Sequence, residues 1–120
     1  MDETIFNKAK TTFERNGGKM ESSPELDKYL DFRGADATTL NKDFIIFRYG
    51  APPTASEFYE ELIHTAQFKQ GKISAGLNET IEIEIEAKEK LIKYQRQYRI
   101  PDSENEDTIK QINILKQSKK

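Results

Sequence analysis

The chain has 120 residues, of which 35% are hydrophobic and 33% charged, with a net charge of −2; this length suits one domain with one modest core, and the clustering of its apolar residues argues against disorder. There is no basic excess to advertise a nucleic-acid footprint and no apolar run near the roughly 20 residues of a membrane span. The first residues, MDETIFNKAK, lack the basic and apolar regions of a signal peptide, and the absence of cysteine removes disulfides, thiolate metal sites and cysteine nucleophiles together.

Residues 3–15 place Ile5, Phe6, Ala9 and Phe13 at helical spacing, and Asn16-Gly17-Gly18 ends that helix. Residues 19–21 read as a short strand. A second helix is predicted over 24–32, with Ser23 as its cap and Pro24 in the first position, where no amide donor is needed. Residues 35–42 read as a loop. Phe44-Ile45-Ile46-Phe47 is the best strand, apolar without polar alternation and so covered on both faces. Its expected partner is 19–21.

Thr54 and Glu57 form a capping box that opens a helix over 55–69, closed by Gly71. The stretch 78–100 alternates like a strand at its start, Thr80-Ile81-Glu82-Ile83-Glu84-Ile85-Glu86, and turns helical from Ala87. It is read as one long helix over about 80–99, with the alternative that 80–86 joins the sheet. Pro101 ends it. Ser103 and Glu106 suggest a further capping box before a last helix at 103–117, and 117–120 reads as a frayed tail. The expectation is a single domain over 1–120, α+β and mostly helical, with about five helices and a short two- or three-stranded sheet.

Wound at about 100° per residue, the 54–69 helix divides into two arcs. Phe58, Tyr59, Leu62, Ile63 and Ala66 share the apolar one. Glu57, Glu60, Glu61, His64 and Phe68 lie opposite, so the single histidine of the chain shares a face with three carboxylates. Residues three and four apart are neighbours on a helix, which lets His64 meet both Glu60 and Glu61. One reading is a solvated acidic surface. The other is a metal or acid–base site, since imidazole and carboxylates form a usable ligand set. In either case His64 lies off the apolar arc, and its loss is expected to leave the fold intact. On the next helix Glu84 falls between two apolar groups and is expected to point inward, with Lys88 one turn later on its face. Glu82, Glu86 and Glu89 are expected outward. A buried carboxylate needs a partner or a metal, so an internal Glu84–Lys88 pair and a functional Glu84 are both open.

A strand, a helix with acidic residues and a histidine, and a second helix with an inward glutamate together resemble the zincins. Their motif is H-E-x-x-H on a helix with a third ligand downstream. The corresponding string here is Glu60-Glu61-Leu62-Ile63-His64, and Glu84 follows His64 by twenty residues, a spacing similar to that of the glutamate-ligand zincins. The run His64-Thr65-Ala66-Gln67 also looks like the continuation in several small members. The resemblance spans roughly residues 44–94. It implies a hydrolase with Glu61 as general base and His64 and Glu84 as ligands of one divalent metal. Glu60 replaces the first ligand histidine and becomes a ligand or its neighbour. One histidine with two carboxylates suits a harder ion than zinc, and the replacement leaves open a site that binds no metal.

The stretch from Thr11-Thr12-Phe13-Glu14-Arg15 to Lys90-Leu91-Ile92 is also similar to C-terminal toxin modules of bacterial polymorphic toxins. That similarity implies a bacterial effector, cytoplasmic or secreted and delivered to a target cell, paired with an immunity protein and acting on a macromolecular substrate. Peptide, phosphodiester and glycosidic bonds are not distinguished by these residues. Two other readings stand beside it. One is a binding module that has lost catalysis and recognises a partner through the acidic helix face. The other is a structural adaptor from phage or mobile-element machinery.

Overall fold

The computed structural model describes residues 1–73 and 80–118, so the expected helix start at 78–79 lies outside the described residues. Along the chain the elements are α1 (Glu3–Arg15), β1 (Lys19–Glu21), α2 (Pro24–Arg33), β2 (Ala37–Asn41), β3 (Phe44–Phe47), α3 (Ala55–Lys69), α4 (Ile81–Lys93) and α5 (Asp102–Ser118). This is the α+β, mostly helical arrangement expected.

Local chemistry sets most boundaries. The Asp2 carboxylate accepts from the Thr4 and Ile5 amides to start α1. The Ser23 hydroxyl caps α2 ahead of Pro24, and the Thr54 hydroxyl caps α3 through the Glu57 amide. Gly34 ends α2 in the left-handed conformation, which glycine adopts without a Cβ clash.

The sheet order is β1–β3–β2, with β1 parallel and β2 antiparallel to the central β3. Ile45, Ile46 and Phe47 are all buried, as a central strand covered on both faces requires. Ile45 and Phe47 join Met20 and Phe58 in one core cluster. Phe6 of α1 meets the Phe47 and Phe58 rings edge-on at 5.7 and 5.6 Å.

Expectations for three segments are corrected. Residues 35–42 are not a loop: Ala37–Asn41 forms β2, a hairpin partner of β3. Thr38 and Thr39 make that segment look polar, but their branched side chains suit a strand, and both are buried. The Asn41 side chain accepts from the Asp43 amide and closes the turn without glycine. Next, α4 stops at Lys93 instead of continuing to about residue 99, and its start is helical, so it does not extend the sheet. Beyond it the chain turns back so that Tyr98 stacks on Tyr59 of α3 at 4.2 Å, nearly parallel. Arg99 takes a left-handed φ of 53°, and the Gln95 amide donates to the Ile100 carbonyl and the Asp102 carboxylate. A continuing helix would forgo that partly buried aromatic pair. Finally, α5 begins at Asp102, which puts Ser103 and Glu106 inside the helix rather than in a capping box. It runs through Gln117 and Ser118, so the expected fraying at 117–118 is absent, while residues 119–120 lie outside the described residues.

The helix α3 packs against β2 on one side and α4 on another, and α4 packs on α5. The Glu104 carboxylate of α5 accepts from both the amide and the hydroxyl of Ser56. No helix among the described residues is long and apolar enough to cross a membrane.

Candidate functional site

The polar arc of α3 is not a solvated surface. His64 is 2% exposed, Glu61 6% and Gln67 0%, so α3 is buried on its polar side as well as its apolar one. Two neighbours cause this. The unexpected strand β2 covers Glu61, and α4 covers His64 and Gln67. The expectation that His64 could be removed without touching the packing is therefore overturned, because tertiary contacts on a polar arc decide its burial.

A buried polar arc must satisfy its own hydrogen bonds, and this one does. The Thr39 hydroxyl lies 2.9 Å from Glu61 Oε1 and 3.0 Å from the Glu61 carbonyl, one proton facing two acceptors. The Gln67 amide nitrogen donates to the Ile83 carbonyl at 3.2 Å and to Glu86 Oε1 at 3.0 Å. Both partners only accept, so the amide oxygen must be the atom 2.7 Å from His64 Nδ1. That oxygen only accepts in turn, so Nδ1 carries a proton and donates. In the neutral ring, Nε2 is then the unprotonated nitrogen, the one able to bind a metal.

His64 Nε2 faces α4, 3.6 Å from Glu84 Oε1. The expected approach of His64 and Glu84 across two packed helices is therefore present. Glu60 adds a third group: one donor atom from each of Glu60, His64 and Glu84 lies within 4.8 Å of the others. Glu61 is outside that trio but lines the same cleft of about 470 Å³, along with Glu57, Glu60, His64, Glu84 and Lys88. All four residues singled out from the sequence thus open on one cleft.

The expected Glu84–Lys88 pair is present, but Lys88 has a closer partner as well. Lys88 Nζ lies 2.7 Å from Glu60 Oε1 and 3.8 Å from Glu84 Oε2, so its closer partner is on α3, not one turn back on its own helix. Nor does Glu86 simply face outward. It accepts from Gln67 and from Lys72 Nζ at 2.9 Å. The Gln67 hydrogen bond and then the Lys72 bond hold its carboxyl below the ordinary value. On α3, burial pushes the Glu57 carboxyl up, against hydrogen bonds from Thr54 that pull it down, while the charges of Asp36 and Glu104 add to the rise.

The donor set is one that could hold a divalent ion. Metal bonds of about 2.0–2.3 Å put neighbouring donors on one ion roughly 3–4 Å apart, so the trio would have to close up around it. One nitrogen and two oxygens suit zinc or a harder ion such as manganese. The Lys88 ammonium would have to leave the two carboxylates first. Sequence reasoning missed Thr39 and Gln67 as site residues. For Gln67 the signal was its i+3 spacing from His64; Thr39 carried none, since only the fold brings β2 to α3. Comparison with protein-family models, with curated proteins and with solved structures found no match for this chain.

Proposed function

We propose that this chain is a metal-dependent hydrolase, zincin-like in layout, in which Glu60, His64 and Glu84 hold one divalent cation and Glu61 acts as general base. The observation that carries the reading is the convergence of those three donor groups within 4.8 Å, with His64 Nε2 set up as a ligand by Gln67. A cation held there would supply Lewis acidity, polarising the bond to be cleaved and making water acidic enough to attack near neutral pH. Glu61 takes the proton from the attacking water, and the Thr39 hydroxyl orients its carboxylate. The sequence similarity to bacterial polymorphic-toxin modules extends the reading to an effector acting on a macromolecule and neutralised by an immunity protein.

The test is metal content together with growth inhibition on expression in bacteria. The purified protein should take up one equivalent of zinc or manganese. Glu84→Gln should weaken that uptake. Glu61→Gln should keep the metal and lose toxicity, since an amide holds the shape without accepting a proton. A protein that takes up neither metal sinks the proposal. The short Lys88–Glu60 contact favours a second reading, a catalytically inactive binding module whose carboxylates are neutralised internally. That reading expects no metal uptake and no change in function for Glu61→Gln.

A further inference from the structure

The placement of Lys88 carries a consequence for how a metal could enter. One ammonium spans two of the three donor groups, 2.7 Å from Glu60 and 3.8 Å from Glu84. Its side chain is only 11% exposed, so it is held at the site and not merely near it. An ammonium and a divalent ion cannot share those carboxylates at such distances without strong like-charge repulsion.

Lys88 also sits on a boundary. It lines the 470 Å³ cleft of the proposed metal site and a second, adjoining cleft of about 200 Å³. The second cleft is lined by Glu57, Glu104 and Asp107, three carboxylates that can receive a displaced ammonium. A long, flexible lysine stem can swing between two such sets of counter-ions without leaving protein surroundings.

We propose that Lys88 is the resident cation of the Glu60–His64–Glu84 site, and that a divalent metal binds only by displacing its ammonium toward Glu57, Glu104 and Asp107. Lys88 thereby sets the affinity of the site and excludes ions that bind too weakly to displace it. The inference rests on the metal-site reading above and specifies what that site must release.

Two measurements test it. The first is calorimetric titration of the full chain with zinc and with manganese, for wild type and Lys88→Met, which keeps most of the stem and removes the charge. The fraction of protein with Lys88 engaged lowers the apparent affinity in proportion, so Lys88→Met should bind at least about tenfold more tightly than wild type. Equal affinities overturn the inference and leave the metal site standing. Uptake by neither protein overturns the metal site, and the inference with it.

The second measurement uses wild type only and holds even if Lys88→Met does not fold. Lysine acetylation by acetic anhydride is read by mass spectrometry with and without saturating zinc, with Lys8 on exposed α1 as the reference. Movement of the ammonium from Glu60 into the second cleft should change Lys88 labelling while Lys8 stays constant. Unchanged Lys88 labelling in protein shown by calorimetry to be zinc-saturated overturns the inference.

Discussion

Replacing His64 with alanine separates a surface histidine from a structural one. The ring is almost wholly buried, and its removal opens a cavity between α3 and α4. Large-to-small substitutions at buried sites cost about 2–5 kcal/mol. The change also leaves Gln67 Oε1 without its donor, which in a closed site adds about 1–3 kcal/mol. The site borders a cleft of about 470 Å³, so water can enter and replace part of what is lost. The net expectation is a loss of roughly 2–4 kcal/mol, a large share of the roughly 5–15 kcal/mol that stabilises a domain. For this chain length that corresponds to a fall in Tm of about 8–16 °C. Urea unfolding followed by circular dichroism measures it. His64→Asn serves as the internal control, because its amide nitrogen occupies the place of Nδ1 and can still donate to Gln67; it should recover part of the loss. A His64→Ala protein within about 0.5 kcal/mol of wild type, the range of ordinary surface changes, would falsify the burial argument. It would return His64 to the solvated face that its helical position alone suggests.

Two further predictions concern titrating groups. The Glu86 carboxyl is held below its ordinary value of 4.5, first by Gln67 and then by Lys72. Its contribution to stability is therefore complete above pH 4.5 and is lost as pH falls through the lower folded value. Glu86→Gln should accordingly be less stable than wild type near neutral pH, with the gap closing as urea midpoints are taken from pH 5 down to pH 3; a gap independent of pH refutes the assignment. The Tyr98 hydroxyl is pushed above its ordinary value of 10.0, mainly by burial against Tyr59. The stability it contributes is complete below pH 10 and is lost as pH rises through the folded value. The five tyrosines should therefore show a late step in absorbance titration that Tyr98→Phe removes, and persistence of that step in Tyr98→Phe shows the reasoning to be wrong.

What the sequence determined by itself is the set of elements whose ends carry their own chemistry. Thr54, Glu57 and Gly71 bracket α3, Ser23-Pro24 and Gly34 bracket α2, and the unbroken Phe44–Phe47 run marks a central strand. Capping and apolar periodicity are local, so they can be read without the fold. The helical phase of α3 and α4 likewise brought out His64 and Glu84 as residues that meet across a seam. Tertiary structure alone decided the rest. Thr38 and Thr39 become a strand only because β3 offers a partner. The chain after Lys93 leaves the helix because Tyr98 finds Tyr59. Glu61 and His64 on the polar arc of α3 are buried because β2 and α4 close over them, and Glu86 is engaged because Gln67 reaches it from the next helix. Lys88 lies closer to Glu60 than to Glu84, its other partner one turn away on its own helix, because packing of α4 on α3 brings Glu60 within reach. Each of these depends on a contact between residues distant in the chain, and a periodic pattern records which side of a helix is polar but not what comes to cover it.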